Sequence, residues 1–167
     1  LAMVRSRDAV VSQRTALISH ARGMGKAWGA RLSRADSAAF SKKVRDEIPK
    51  ELEPALVPIL ELIEELTQRI RDYDRQIDQL CKEKYPETEL MRQIGGVGPI
   101  TSLTFRLVLD DPARFQKSRQ VGAYAGLVPG LDQSGDTDKP LGITKEGDAY
   151  LRKVLVNSAN YILGAFG

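Results

Sequence analysis

A hydroxyl that could act as a nucleophile lies at Ser134, in a polar stretch of the chain. A serine hydroxyl is a weak nucleophile unless a base or a metal ion activates it. Residues 130–142 are rich in Gly and Asp and include Pro140, a composition typical of a loop. A Ser-Gly pair such as Ser134-Gly135 in a loop is most often an ordinary turn. The residue types around Ser134 therefore permit nucleophilic chemistry but by themselves favour a turn.

A second candidate site is the glycine-rich turn within residues 89–109, which joins two helical stretches in the order of a helix-hairpin-helix. Glycines let the backbone approach another surface, and the N–H groups that open a helix at Pro99 carry partial positive charge. Such a turn can bind a DNA phosphate without reading the base sequence. A simple glycine-rich connection between helices is the alternative. The DNA contacts predicted in the turn are Gly95, Gly96, Gly98 and Thr101.

Metal and thiol chemistry find little support. His20 and Cys81 are the only residues of their kinds, so a His/Cys metal cluster and a Cys-His nucleophile pair are both poorly supported. We expect His20 on a helix surface and Cys81 as an ordinary thiol. One cysteine cannot form an internal disulfide, and residues 1–30 lack a secretory signal, which favours a cytoplasmic location. No apolar run approaches the roughly 20 residues of a membrane-spanning helix.

The net charge of +3 hides a strong segregation of charge along the chain. Residues 1–50 carry 11 Lys and Arg against 4 Asp and Glu, whereas residues 51–90 carry 5 against 11. Residues 91–167 carry 9 against 7. Since phosphate contacts need clustered Lys and Arg, only part of the surface is expected to meet a polyanion. A solvated helix face is the alternative.

Apolar residues recur at alternating spacings of four and three, the a/d repeat of a coiled coil. They are Leu52, Leu56, Ile59, Ile63, Leu66, Ile70, Tyr73, Ile77 and Leu80. The pattern predicts a long helix over about 52–84, with the part after Pro58 fully regular because proline is tolerated only in the first turn. A stripe of apolar residues this narrow is buried by packing against another helix. The weak apolar repeat of a preceding helix over 7–24 favours another subunit, and hence a homo-oligomer.

The other elements are also helical. We expect a helix over 36–48 with Asp36 as its N-cap, an apolar helix over 102–109, a short helix capped by Ser118, and a final helix over about 147–163. The final helix is expected to bury Leu151, Leu155, Ala159 and Ile162. No long run alternates with period two. The expected fold is mainly α, with linker helices and a coiled coil in 1–86 and a small helical domain in 87–167.

Several ordered motifs in the second half carry a family resemblance. They are Gln120-x-x-Ala123-Tyr124-Ala125-Gly126-Leu127-x-Pro129, then Ser134-Gly135, then Leu141-Gly142-Ile143-Thr144-Lys145-Glu146-Gly147-Asp148-x-Tyr150-Leu151-Arg152, and Tyr161-Ile162-Leu163-Gly164. This series resembles the C-terminal domain of transposases of the insertion-sequence IS-110, IS-116 and IS-902 group. The resemblance spans about residues 90–167, and residues 7–80 look like the linker and coiled coil that precede this domain.

The resemblance implies a DNA recombinase of the DEDD type, guided by a structured RNA and active as a homo-oligomer. An N-terminal RuvC-like domain holds Mg²⁺ through acidic residues, and the C-terminal domain supplies a serine nucleophile, which Ser134 matches. Lys145 and Arg152 are then candidates for stabilising the charge on the attacked phosphorus, and Lys117 and Arg119 for contacting DNA. Ordinary surface charge is the alternative for these cations.

Two departures from the family pattern affect these expectations. The RuvC-like domain should precede Leu1, and family sequences continue past Gly167, so the chain is expected to be a fragment that is inactive alone and holds no metal. In addition, Asn160 stands near Tyr161, where many relatives carry a histidine. Two other functions remain open, namely a non-catalytic helix-hairpin-helix module that binds DNA, and a coiled-coil oligomerisation protein.

Overall fold

The computed structural model describes residues 1–134 and 137–164, and within 131–140 it describes only the backbone of the strands. The chain forms two compact units, Ala2–Gln76 and Ile77–Gly167, the second of which also includes Leu1. We call them the N-terminal unit and the C-terminal unit. The mainly helical fold with one long helix is confirmed. None of the helices in the described part of the chain is long and apolar enough to cross a membrane.

The N-terminal unit is built from one long helix, a short helix and most of a second long helix, whose residues from Ile77 onward belong to the C-terminal unit. Helix α1 spans Ala2–Ala27, α2 spans Phe40–Val44, and α3 begins at Glu53 and ends at Lys84. Short 3₁₀ turns at Arg45–Glu47 and Lys50–Leu52 connect α2 to α3.

Three boundaries in this unit differ from those predicted. Helix α1 is longer than 7–24, because Gly25 is buried in its last turn and does not loosen it. The helix expected over 36–48 is shorter, and Asp36 does not cap it, since its carbonyl accepts from Ala39 N in a preceding turn. Helix α3 also continues through Pro58, so the expected irregular start is wrong.

The buried face of α3 is rotated relative to the predicted stripe. Leu56, Ile63 and Ile70 are buried as expected. Ile59, Leu66 and Leu80 are only half-buried, and in each case the residue that follows is buried. Tyr73 is half-buried as well, and so is the residue after it. Leu60 and Thr67 are 0% and 5% exposed and take two of those places. The a/d pattern therefore identified the helix but placed three of its buried positions, Leu60, Thr67 and Cys81, one residue too early.

Helix α1 of the same chain covers this face of α3. The guanidinium of Arg7 donates to the carboxylate of Asp74, with Nε 2.5 Å from Oδ1, and Arg14 donates to Thr67 at 3.3 Å. Ile18 and Ala21 pack into the same core as Ile63. The preference for a partner chain on this face is therefore wrong, because arginines supply contacts that the apolar count of α1 did not include.

The C-terminal unit combines helices with one β-hairpin. After α3 come α4 (Thr88–Arg92), α5 (Pro99–Leu109), a 3₁₀ turn (Pro112–Arg114), α6 (Arg119–Tyr124) and α7 (Ala149–Leu163). Strands β1 (Pro129–Ser134) and β2 (Thr137–Ile143) lie between α6 and α7 and pair antiparallel, with an irregularity between Pro129 and Leu131. The expected loop over 130–142 is therefore wrong. Backbone pairing, without an alternating apolar pattern, forms these strands.

The core of this unit lies where α7 packs against the end of α6. Ala125, Leu151 and Val154 are buried there, and Phe105 of α5 packs against them. Of the residues expected to be buried in α7, Leu151 is buried and Leu155 is half-buried, whereas Ala159 and Ile162 are exposed. The buried line of α7 instead continues from Val154 to Ser158. The Ser158 end of this buried line faces the glycine-rich turn, where there is room for its small polar side chain.

Candidate active site and nucleic-acid interface

Ser134 is the last residue of β1 and pairs with Thr137, the first residue of β2. Its side chain and Gly135 lie outside the described residues. The backbone alone therefore defines its position, at the end of the hairpin away from the α6 and α7 connections. Residue 134 therefore lies at the end of the two-stranded hairpin opposite its base at Pro129 and Ile143.

The base of the hairpin is fixed by close backbone contacts. Gly126 has φ +67°, and a Cβ at this position would collide with the backbone of Glu146. Gly147 has φ +75°, and its Cβ would collide with the carbonyl of Tyr124. Both positions require glycine for conformation and for space. The segment that ends α6 and the segment that precedes α7 thus meet directly, backbone to backbone.

Backbone hydrogen bonds continue this contact. Lys145 N donates to the carbonyl of Gly126 at 3.1 Å, and Thr144 N donates to that of Val128 at 3.0 Å. Asp148 caps α7 by accepting from Leu151 N at 2.8 Å. The residues of the Leu141–Arg152 motif therefore hold the two strands together at the base of the hairpin.

Arg152 takes part in this fixation. Its Nη1 donates to the carbonyl of Ala125 at 3.3 Å and also to that of Glu146. One guanidinium thereby joins the two segments that flank the hairpin. Lys145 lies in the same segment, with φ +60° and an exposed side chain.

Ser134 is not brought together with Lys145 and Arg152. The paired strands run from Pro129↔Ile143 to Ser134↔Thr137. At about 3.3 Å per residue, five residue steps separate the two ends of the hairpin by about 17 Å. Lys145 and Arg152 belong to the base, and residue 134 belongs to the far end. Their suggested role at the phosphorus attacked by Ser134 stays a prediction.

The glycine-rich turn contacts α7 on one side. Gly96 has φ +80°, and a Cβ there would lie 3.1 Å from Ile162 Cγ1 and from the carbonyl oxygen of Ser158. Thr101 is 9% exposed, and its Oγ1 lies 3.1 Å from Ser158 Oγ. Gly95 and Gly98 have open space around their Cβ positions. The helix-hairpin-helix is not confirmed, and Gly96 and Thr101 have a packing role in this turn.

The basic link between α5 and α6 is open to solvent. Lys117 and Arg119 are exposed. Arg114, which was not selected from the sequence, lies 5.3 Å from the Phe115 ring centroid and 4.9 Å from that of Tyr124. The two rings pack edge to face at 5.5 Å. An arginine beside an aromatic residue is a signal that could have identified this cluster.

The described residues provide no metal centre. Within 1–134 and 137–164, no group of three or more His, Cys, Asp or Glu side chains is placed to hold an ion. Cys81 is buried and donates to the carbonyl of Pro99 at 3.8 Å, and burial raises the pKa of its thiol. A thiol with a raised pKa is a poor nucleophile at neutral pH, as expected for an ordinary buried cysteine.

The second half of the chain is similar to a known protein family. Residues 88–165 match the family model described as Transposase IS116/IS110/IS902 family. Residues 88–165, most of the C-terminal unit, therefore form a region similar to this transposase family. The matched residues include the glycine-rich turn, the basic link, the hairpin with Ser134 and Arg152.

Individual relatives extend the similarity over nearly the whole chain. The chain is 32% identical over 173 residues to the transposase for insertion sequence element IS1111A of Coxiella burnetii, an alignment that covers 97% of this chain and 46% of the relative. It is 28% identical over 167 residues to a probable family 20 transposase of Pseudomonas aeruginosa, covering 96% and 49%. The chain thus spans about half the length of these relatives, and the N-terminal unit is part of the shared region.

Proposed function

We propose that the chain is part of a DNA transposase in which Ser134 is the nucleophile of strand cleavage. The observation that carries the proposal is the coincidence of two facts. The family match includes the whole hairpin, and the hairpin places residue 134 at the end of an arm whose base is fixed by Gly126 and Gly147. A fixed arm can deliver a hydroxyl to a phosphate with little loss of orientation.

In the proposed reaction, Ser134 Oγ attacks the phosphorus of a DNA phosphodiester. A bond between Oγ and phosphorus forms, the bond from phosphorus to one deoxyribose oxygen breaks, and that oxygen takes up the proton that Ser134 loses. The hydroxyl of another strand then attacks the phosphoserine and regenerates Ser134. This two-step exchange conserves the number of phosphate ester bonds, so it needs no nucleotide cofactor.

The cations take different parts in this proposal. Arg152 is a positioning residue, because its guanidinium joins two segments at the hairpin base about 17 Å from residue 134. Lys145, Lys117 and Arg119 are exposed and contact DNA phosphates, together with the open backbone at Gly95 and Gly98. The magnesium expected for the family does not fit the described residues, and we propose that carboxylates of an RuvC-like domain hold it.

Two further partners belong to the same proposal. The half-buried residues Ile59, Leu66 and Tyr73, with Leu62 at 44% exposed, leave an apolar stripe on α3 beside the face that α1 covers. This stripe supports a homo-oligomer through α3. The basic N-terminal segment supports binding of a guide RNA, as the family resemblance implies.

The test is the variant Ser134→Ala in a full-length transposase that contains this chain. Strand exchange should be lost and DNA binding retained, and wild-type protein with a suicide DNA substrate should give a covalent adduct that mass spectrometry locates at Ser134. A matched control is Ser118→Ala, an exposed serine without a cap hydrogen bond, which should leave exchange unchanged. Unchanged recombination by Ser134→Ala would leave a non-catalytic DNA-binding domain as the function. The 167-residue chain alone should neither cleave nor join DNA.

A further inference from the structure

The end of α1 is shaped by a glycine in the left-handed conformation. Gly29 has φ +78°, Ala30 N donates to the carbonyl of Gly25 at 2.9 Å, and Gly29 N donates to that of Lys26 at 3.1 Å. This is a Schellman motif, which satisfies the last carbonyls of the helix and turns the chain back. The carbonyls at this helix end are therefore less available to repel an anion.

The chain that leaves the motif folds back along α1. A Cβ on Gly25 would lie 3.2 Å from Leu32 Cγ, so the returning segment packs closely on the last helical turn. Ser33 N donates to Glu47 Oε2 at 2.6 Å and anchors the segment further on. Because of this return, Arg31 lies near cations of α1 that precede it by several residues.

A cleft of about 460 Å³ results, and we call it the basic cleft. Its lining residues are Arg22, Lys26, Gly29, Ala30, Arg31 and Leu32. Three of these described residues are cations and none is acidic. Arg22 is held in place, since its guanidinium lies 5.1 Å from the centroid of Phe40 and donates to the carbonyl of Ala35 at 3.5 Å. Lys26 and Arg31 are exposed and accessible to a ligand.

Trp28 lies between these cations in the sequence and directly precedes Gly29. It is the only tryptophan of the chain and is 58% exposed. Exposed aromatics beside clustered cations are characteristic of surfaces that bind single-stranded nucleic acid. Cations neutralise the phosphates, while the ring stacks on a base of any identity.

We propose that the basic cleft and Trp28 bind single-stranded nucleic acid, with Lys26 and Arg31 on the phosphates and the indole stacked on an unpaired base. A duplex does not offer this contact, because its base faces are already stacked on one another. This site belongs to the N-terminal unit, whereas the hairpin and the basic link belong to the C-terminal unit. It rests on the proposed function only for the ligand class, nucleic acid.

The single tryptophan makes the test direct. Titration of the 167-residue chain with an oligothymidylate, an oligouridylate and a blunt DNA duplex should quench Trp28 fluorescence with the two single strands and leave it nearly unchanged with the duplex. The ratio of the two single-strand affinities identifies whether the natural ligand is DNA or RNA. Equal quenching by the duplex would overturn the proposal.

Variants separate stacking from charge. Affinity measured by anisotropy of a labelled single strand should fall about 5- to 150-fold for Trp28→Ala, the range of one lost base stack, and much less for Trp28→Phe. Lys26→Ala/Arg31→Ala should reduce the slope of log affinity against log salt by about 1.4, since each phosphate contact on a single strand contributes about 0.7. Lys50→Ala/Lys84→Ala removes two exposed cations outside the cleft and is the charge-matched control.

The outcomes distinguish this site from the active site. Circular dichroism confirms that each variant is folded, and an unchanged affinity of folded Trp28→Ala, or equal slopes for the two double variants, overturns the proposal. Ser134→Ala should leave the quenching intact. A covalent adduct at Ser134 without quenching of Trp28 therefore overturns only the proposal for the basic cleft. Quenching of Trp28 without an adduct overturns only the proposal that Ser134 is the nucleophile.

Discussion

Gly126→Ala should destabilise the C-terminal unit strongly, because the new methyl group has neither a permitted conformation nor space. Alanine in the left-handed region costs about 1–2 kcal/mol relative to a favoured conformation. The methyl group would also collide with the backbone of Glu146, and backbone shifts forced by overpacking cost about 1–3 kcal/mol. The expected loss is about 2–5 kcal/mol, a large part of the stability of a small domain.

Two other glycines separate the two contributions. Gly29 has φ +78° but open space around its Cβ position, so Gly29→Ala should show the conformational cost alone, about 1–2 kcal/mol. Gly95 lies outside the positive-φ region and also has open space. Gly95→Ala should therefore be neutral or stabilising by up to about 1 kcal/mol, since it restricts the unfolded chain.

Urea unfolding measures these differences. Trp28 fluorescence follows the N-terminal unit, where the only tryptophan lies, and circular dichroism follows the helices of both units. Gly126→Ala should lower the midpoint of the dichroism change. A free energy of unfolding within about 1 kcal/mol of the wild type would refute the close approach of Gly126 and Glu146.

The remaining predictions concern single contacts. Arg152→Ala should cost the C-terminal unit about 1–3 kcal/mol in urea unfolding, because it removes a charged donor from two carbonyls; no change would contradict its positioning role. Thr101→Val should cost about 1–3 kcal/mol by leaving the buried Ser158 hydroxyl unpaired, and adding Ser158→Ala should restore part of the loss. The hydrogen bonds from Ser33 hold the pKa of Glu47 below its ordinary 4.5, so their stabilisation is present above that pH and is lost as the pH falls through the lower folded value. Glu47→Gln should reduce this acid dependence in Trp28 unfolding curves, and identical curves would contradict it. The Cys81 thiol should react slowly with a disulfide reagent until the chain is unfolded, because it is buried and its pKa is raised.

The sequence allowed the long helices and the last helix to be predicted because their signals are local and repeated. Asp148 also follows the ordinary rule for an N-cap residue, although the helix was expected to start at Gly147. The hairpin could not be predicted, since Asp132, Pro140 and their neighbours have the composition of a loop. Its strands are specified by backbone pairing and by the contacts of Gly126 and Gly147 at its base. Such contacts between distant segments leave no periodic pattern.

The partner of α3 and the roles of the cations depended on contacts of the same kind. An apolar count cannot show that Arg7 and Arg14 reach across to α3, because arginine is scored as polar although its stem packs on apolar surface. Likewise, Arg152 is an expected anion ligand by residue type, and only its carbonyl contacts reveal a structural role. Ser134 was selected through the family resemblance, and the local composition alone indicates only a turn.

The paired arginines of α1 also determine how the two helices align lengthwise. Arg7 and Arg14 are one heptad apart, as are their partners Asp74 and Thr67 on the antiparallel α3. Sliding α1 by one heptad in one direction would place Arg14 opposite buried Leu60, and sliding it in the other would place Arg7 at the level of buried Cys81. A guanidinium facing an apolar neighbour loses its hydrogen bonds, so either slip is costly. These polar contacts therefore fix a single lengthwise register of α1 on α3. A purely aliphatic interface with a seven-residue repeat would not distinguish one register from the next.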